Sequence, residues 1–431
     1  MSNLHALAQR LMALDDKITN CMRCGMCQAV CPMFGASGQE ADVARGKLVL
    51  INNLAHMLLT DPEALADKLG RCLLCASCQA ACPPGVEIMY IFREAREIVY
   101  NYLGLNPVKK FIFGILLAKP ALFNFTMRVG APMQGLLFKK TNDAQGTVCA
   151  PMLKFMLGDR HIQPLAKKPL HAICGALDEP RKPGGIKVAF FPGCLGDKMY
   201  VDMSLACLKA LKHHDVAVYM PEEFACCGIP AVCSGDVKGM LKEMKKNIEI
   251  LSKGDFDYVL TPCASCTSTI IELWPEYAKR LNDEKLLRKA EELGAKTMDI
   301  NVFMVEVLGV KAVDARADAP LVTYHDPCHL VKTMGITSEP RLVLEASPDC
   351  QFREMNEHDR CCGCGGSFNL FHYDYSRQIG QRKRDNIVAS GAQVVATSCP
   401  ACMMQLEDVL SQNGDPVKVK HTMQIYAESL D

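Results

Sequence analysis

The sequence predicts an α/β protein: an all-helical N-terminal domain, then two tandem α/β repeats built on parallel strands. Three observations predict it. Two tight cysteine groups sit within the first 105 residues, separated by helix-patterned sequence. A five-cysteine pattern occurs twice in the C-terminal half. Around it, short β-branched runs alternate with amphipathic stretches of helical period.

Composition bounds what such a chain does. With 431 residues, 49% of them hydrophobic, it can bury the cores of two or three domains. Its 48 basic and 48 acidic residues cancel, so no long-range attraction to nucleic acid follows. Aromatic residues are few, Trp274 is the one tryptophan, and no basic stripe is present, which excludes a nucleic-acid partner. The informative number is 24 cysteines. The first residues, MSNLHALAQRLMALDDKITN, are polar and amphipathic and carry no apolar leader. The expected location is therefore the cytoplasm, where clustered thiols read as metal ligands.

The N-terminal domain is expected over residues 1–105. Its first group is Cys21-x-x-Cys24-x-x-Cys27-x-x-x-Cys31-Pro32, and its second is Cys72-x-x-Cys75-x-x-Cys78-x-x-x-Cys82-Pro83. This is the spacing of a two-cluster ferredoxin. Three thiolates of one loop wrap one cube, and the fourth, turned away by its proline, reaches the other. Cys21, Cys24, Cys27 and Cys82 are thus assigned to one [4Fe–4S] cluster. Cys72, Cys75, Cys78 and Cys31 are assigned to the second. Zinc also takes four thiolates, but usually from two paired Cys-x-x-Cys hooks. The residues between the groups, such as KLVLINNLAHMLLT, read as helix, which points to an all-helical ferredoxin domain.

Residues 106–185 read as a helical connector and linker, with Cys149, Cys174 and the linker-like DEPRKPGG. No stretch reaches the roughly 20 apolar residues of a membrane span. FIFGILLA, Phe111 to Ala118, stops at Lys119 and Pro120, and a second apolar piece covers Gly135 to Phe138. The expectation is a core or partner-facing helix pair. The sharper reading is a surface resting peripherally on the inner face of the cell membrane.

The repeats are expected over residues 186–316 and 317–431. Cys194 and Cys328 are 134 residues apart, the pairs Cys226-Cys227 and Cys361-Cys362 are offset by 135, and Cys263 and Cys266 precede Cys399 and Cys402 by 136. That register is a tandem duplication. IKVAFF, FDYVLTP, LVTYH and QVVATS each run into a cysteine and read as buried strands. VKGMLKEMKKNIEILSKG reads as a helix ending on Gly254 as its cap. In parallel sheets, ligands gather beyond the carboxyl ends of the strands, which is where Cys194, Cys263, Cys328 and Cys399 fall.

Cys194, Cys226, Cys227, Cys263 and Cys266 form one five-thiol set, a candidate third cluster site. Cys328, Cys361, Cys362, Cys399 and Cys402 form the other, a candidate fourth. Adjacent cysteines serve one tetrahedral zinc poorly but can bridge two irons of an opened cluster. Gly228 and Gly363, after each pair, allow close backbone approach to a bulky ligand. Zinc, or no metal, is the alternative. Of the remaining cysteines, Cys149, Cys174, Cys207, Cys233 and Cys350 are expected as small apolar residues, and Cys364 is near enough to Cys362 to be a spare ligand. His325 and His329 flank Cys328 and suit a hydrogen-bonding shell. The chain has no G-x-G-x-x-G, no phosphate-binding G-x-x-x-x-G-K loop and no G-x-S-x-G elbow. Hydride chemistry is therefore expected on another subunit.

The repeated Cys…Cys-Cys-Gly…Cys-x-x-Cys pattern resembles the cysteine-rich CCG domain of heterodisulfide reductases. A two-cluster ferredoxin followed by two CCG domains is similar to the iron–sulfur subunit of glycolate oxidase, and to the corresponding iron–sulfur subunits of anaerobic glycerol-3-phosphate dehydrogenase and of heterodisulfide reductase. Ala44-Arg45-Gly46-Lys47 and Cys82-Pro83-Pro84-Gly85-Val86 before FREAREIV resemble the glycolate or D-lactate dehydrogenase branch. That resemblance implies an electron-transfer protein, with no catalytic residue of its own, relaying electrons from a separate FAD-binding dehydrogenase subunit to quinone or another carrier. Both five-thiol sets are complete, as in heterodisulfide reductase, which implies one or two noncubane [4Fe–4S] clusters. Under that alternative the chain is a disulfide reductase in which Cys227 and Cys362 carry turnover.

Overall fold

The computed structural model describes residues 2–151 and 158–430. They form two compact units. The smaller comprises Met1–Ile115, Ile229–Met240 and Cys361–Gly380; the larger comprises Leu116–Gly228, Leu241–Arg360 and Gln381–Asp431.

The N-terminal part of the smaller unit is all helical among the described residues, as the sequence predicts. Its main helices are Ser2–Met12, Ala44–Ala55, Pro62–Gly70 and Ile88–Leu103. Pro62–Gly70 starts where the Asp61 side chain accepts the Ala64 N–H at 2.9 Å, with Pro62 in the first turn. Ile88–Leu103 buries Ile88, Ile91, Phe92, Ala95, Ile98 and Val99, the stripe of one helix face. These side chains meet Leu7, Leu11, Leu48, Ile51, Leu65 and Leu69 in one core. Each large apolar side chain there stabilises the fold by about 1.5–3 kcal/mol. Gly46 lets Ala44–Ala55 lie against the turn Glu40–Asp42, because a Cβ at Gly46 would strike the Glu40 carbonyl.

The larger unit holds two main sheets. Strands β1 (Lys139–Asn142) and β2 (Thr147–Cys149) make a separate antiparallel hairpin. Five strands follow: β3 (Leu177–Asp178), β4 (Lys187–Phe190), β5 (Ala217–Met220), β6 (Tyr258–Thr261) and β7 (Thr297–Asp299), in the order β3-β5-β4-β6-β7. The second sheet has β8 (Leu321–His325), β9 (Gln351–Phe352), β10 (Val394–Thr397) and β11 (Lys418–His421), in the order β11-β10-β8-β9. Apart from β3, every pairing in these two sheets is parallel. The order β5-β4-β6-β7 is therefore repeated as β9-β8-β10-β11, so the duplication read from cysteine spacing is a duplication of topology. In each repeat the chain moves outward to one side of the first strand, then crosses to its other side. The gap between β4 and β6, and that between β8 and β10, is thus a topological switch point.

One expectation is corrected. The helix Val237–Leu251 ends three residues before Gly254, and Gly254 does not adopt a positive φ. The Ser252 N–H and hydroxyl both bond the Ile248 carbonyl, so the helix stops without a glycine cap. Gly254 is needed instead where the Tyr219 ring crosses, at 2.5 Å from where a Cβ would stand. The apolar connector is core only in part: Phe113 is buried. Phe111 and Ile115 in the smaller unit, and Phe125 and Val129 on helix Pro120–Leu137 in the larger, are exposed. The side chains of 135–137 lie outside the described residues. Among those described, no helix is long and apolar enough to cross a membrane.

Candidate metal centres

In the smaller unit, Cys21, Cys24, Cys27 and Cys82 line one cavity with Met22, Met26 and Arg45. Cys31, Cys72, Cys75 and Cys78 line a second with Met33, Asp42, Met89 and Phe92. The fourth cysteine of each group stands in the other group's cavity.

The two loops share a backbone device. Arg23 and Gly25 flank Cys24 with φ of 57° and 87°; Leu74 and Ala76 flank Cys75 with 53° and 59°. Alternating left-handed residues bend the chain around a centre and turn its N–H groups inward, as in anion-binding nests. Leu74 N–H donates to Cys72 Sγ at 3.4 Å. Three of these four positions are not glycine. Only Gly25 is a residue type that favours this conformation; at Arg23, Leu74 and Ala76 such strain persists only where the surroundings hold it.

The two cavities differ in environment. Cys24 is exposed, and Arg45 beside it pairs with Glu40 (Nε–Oε1 2.7 Å) and donates to the Arg23 carbonyl at 3.1 Å. The second cavity is more enclosed. Burial pushes Cys31 up to about 11 and raises Cys78 well above an ordinary thiol. Cys75 is raised by its hydrogen bond with the Cys361 thiol and then by burial. Packed, buried thiols ionise together only around a cationic group that takes up their charge. An all-sulfur donor set of four per cavity, with N–H groups turned toward sulfur, suits a cubane [4Fe–4S] cluster.

In the larger unit, the first five-thiol set comes together at the β4/β6 switch point. Cys194 follows β4 and Cys263 follows β6. Cys194 and Cys226 Sγ atoms are 3.8 Å apart. Cys226 also meets Cys227, Cys227 meets Cys266, and Cys266 meets Cys263. The pKa of Cys226 is driven up by its bonds to Cys194 and Cys227, and by burial. Cys266 is raised by Cys227 and Cys263 and by burial. The Cys-Cys loop is held from behind: Asn247 donates to the Cys226 carbonyl at 2.8 Å and accepts from Ala225 N–H at 2.9 Å. Trp274 Nε1 donates to the Cys227 carbonyl at 2.9 Å. Sequence reasoning missed Asn247 and Trp274, because nothing local ties them to the thiols. Five thiols around one centre, two of them adjacent in the chain, exceed a tetrahedral zinc site and suit an opened iron–sulfur cluster.

Gly228 and Gly363 take φ of 104° and 98°. The glycine after each pair is therefore required by backbone conformation; at Gly363 a Cβ would also press on the Ser376 carbonyl at 2.6 Å. Of the second set, Cys328, Cys399 and Cys402 belong to the larger unit and Cys361 and Cys362 to the smaller. His325 is fully buried, and burial pulls its pKa to about 3, leaving a neutral ring within 4.8 Å of Cys402 Sγ. His329 Nδ1 meets Ser265 Oγ at 3.2 Å, and that hydroxyl lies 3.7 Å from Cys399 Sγ. Cys207, Cys233, Cys350 and Cys364 are buried, whereas Cys149 and Cys174 are half-buried.

Comparison with known proteins matches these regions. Residues 17–86 fit the model of a 4Fe-4S dicluster domain, and residues 188–271 and 322–407 each fit that of a cysteine-rich domain. The chain is 30% identical to a probable glycolate oxidase iron–sulfur subunit of Bacillus subtilis, over 94% of this chain and 92% of that one. It is 27% identical to one subunit of a fumarate reductase (CoM/CoB) of Methanothermobacter marburgensis, over 84% and 73%. It is 32% identical to lactate utilization protein A of Halalkalibacterium halodurans, over 56% and 96%. A crystal structure of a hypothetical protein from Helicobacter pylori shares the fold, with a TM-score of 0.52 at 12% identity, covering 90% of this chain and 68% of that one.

Proposed function

The chain belongs to the family of the probable glycolate oxidase iron–sulfur subunit of Bacillus subtilis, and from that membership we propose that it is the iron–sulfur electron-transfer subunit of a flavin-linked 2-hydroxyacid dehydrogenase, with D-lactate or glycolate as donor. The observation that carries this reading is the arrangement of eight cysteines in two four-thiol cavities, in a chain without a flavin or nicotinamide motif. An FAD-binding partner removes two electrons from the acid. Cys21, Cys24, Cys27 and Cys82 hold one [4Fe–4S] cluster, and Cys31, Cys72, Cys75 and Cys78 a second. Clusters at these sites supply one-electron steps toward quinone or another carrier. The thiols and inward N–H groups shape both sites, and the buried shell of the second keeps it drier than the first, where Cys24 is exposed. The acid-free, basic stretch 98–142 supports peripheral contact with the inner face of the cell membrane in an otherwise cytoplasmic protein. The test is to purify the native complex anaerobically, add D-lactate, glycolate and glycerol 3-phosphate in turn, and follow bleaching of the visible iron–sulfur absorbance. Bleaching by either acid is expected. Bleaching by glycerol 3-phosphate alone would move the chain to the anaerobic glycerol-3-phosphate dehydrogenase branch.

A second reading is favoured by the convergence of Cys194, Cys226, Cys227, Cys263 and Cys266, and by the similarity to a protein of a CoM/CoB-linked reductase. Here the five-thiol sets would hold noncubane clusters, which would supply the electrons for reducing a disulfide. Cys227→Ser and Cys362→Ser would then abolish disulfide turnover and leave the N-terminal signals intact; unchanged turnover in both removes this reading. Zinc near stoichiometric levels in the C-terminal repeats, with iron at about eight per chain, would remove both the noncubane clusters and that chemistry.

A further inference from the structure

Among the described residues, two cations are buried beside the second N-terminal cavity and none beside the first. Lys47 is 1% exposed and Arg96 2% exposed. Among the described residues Arg96 has no carboxylate partner: it donates to the carbonyls of Leu69 (3.1 and 2.5 Å), Cys72 (2.5 Å) and Cys233 (2.6 Å). Lys47 donates to the backbone carbonyl of Asp42. Burial pulls the Lys47 ammonium down, while Cys72, Cys31 and Asp42 hold it up, so its charge faces that cavity's sulfurs. The acid there is Asp42, whose buried carboxylate also lies 3.5 Å from Lys68 and 3.9 Å from Arg71. Arg71 pairs with Asp67 as well, at 2.7 Å. Positive charge remains in excess. At the first cavity, Arg45 is partly exposed and neutralised by Glu40.

A cluster gains one negative charge when it is reduced. A buried, uncompensated cation at fixed distance stabilises the reduced form, and solvent does not screen it. We propose that Lys47 and Arg96 hold the potential of the second site above that of the first, making it the electron sink of the N-terminal unit. This rests on the reading of both cavities as [4Fe–4S] sites. With clusters at both sites, one electron would pass from the first, oxidising it, to the second, reducing it. The donor is the reduced flavin of the partner subunit. Within the same unit, Cys75 of the second site also meets the Cys361 thiol. Exposed Cys24 marks the first site as the entry.

The experiment is a potentiometric titration of the full-length, anaerobically purified chain, read by electron paramagnetic resonance. Cys24→Ser and Cys75→Ser each perturb one site's signal and assign it. In the parent chain the second site should be reduced first. Lys47→Met should lower its reduction equilibrium at least tenfold, 59 mV for one electron, and leave the first site unmoved. Lys47→Arg should restore it, and Arg96→Gln should shift it in the same direction as Lys47→Met. Equal potentials in the parent chain overturn the proposal. So does a Lys47→Met variant with full iron in which the second site's potential is unmoved or both move together. Iron below about eight per parent chain would instead remove the two-cluster reading on which the proposal stands.

Discussion

The sulfur atoms of Cys263 and Cys399, equivalent cysteines of the two repeats, lie 3.9 Å apart. Each caps the helix after a central strand, and the two loops are joined by the Ala264 N–H to Ser398 carbonyl bond at 3.1 Å. The pair is polarised. Donation from Cys263 and Cys402 holds Cys399 well below an ordinary thiol. Cys266 favours the Cys263 thiolate, but Cys399 and burial outweigh it and push Cys263 up.

In iron-free protein this pair should be the first cross-link between the repeats. The Cys399 thiolate attacks the oxidant adduct or disulfide formed at Cys263, and the sulfurs close to about 2.05 Å. Treating metal-free chain with diamide should give a Cys263–Cys399 peptide by mass spectrometry, and iron-loaded chain should give none. Equal yields in both forms would mean that neither thiol is engaged by metal.

Gly46→Ala should destabilise the N-terminal unit by about 1–3 kcal/mol, the usual range for overpacking against a rigid neighbour. The added methyl meets the backbone of Glu40 and Ala41, which cannot swing away as a side chain would. Chemical denaturation followed by loss of cluster absorbance checks this. A variant as stable as the parent would mean that the turn at Glu40–Asp42 yields freely.

Glu407 gives the fold an acid-side bias. Its carboxyl is 3% exposed, and burial pushes it up to about 8, although Tyr200 donates to it at 2.6 Å. The unfolded value is near 4.5. The folded chain therefore keeps a proton that the unfolded chain releases. This contribution is full below about pH 4.5 and is lost as pH rises to about 8. Glu407→Gln should flatten the fall in stability across that window, by at most about 5 kcal/mol at 1.36 kcal/mol per unit. Urea unfolding at about pH 5.5 and about pH 8 reads the difference. An unchanged slope would place the proton elsewhere.

The connector should bind anionic lipid. From Ile98 to Asn142 there is no aspartate or glutamate, whereas Lys109, Lys110, Lys119, Arg128, Lys139 and Lys140 are basic. On helix Pro120–Leu137, Phe125 is 65% and Val129 50% exposed. The chain should co-sediment with phosphatidylglycerol vesicles and be released by salt, since surface charge is screened. Phe125→Ser with Val129→Ser should weaken binding about tenfold or more, through lost apolar burial. Equal binding to neutral vesicles, or no loss in the double variant, would argue against lipid.

Much of this was legible in the sequence because it is local or periodic. Cysteines three residues apart share one loop wherever that loop goes, and the proline after Cys31 and Cys82 turns each away from its own group. The β-branched runs before Cys194, Cys263, Cys328 and Cys399 became strands, and the drift of two residues in the cysteine register became a repeated strand order. The tertiary structure alone decided the rest. Gly254 looked like a helix cap, yet it serves a ring from another strand. Nothing local marks Lys47 and Arg96 as buried; packing encloses them. The meetings of Cys75 with Cys361 and of Cys263 with Cys399 have no local signal, because they depend on how whole elements pack. Spacing determines which thiols move together; long-range packing determines which thiols and charges they meet.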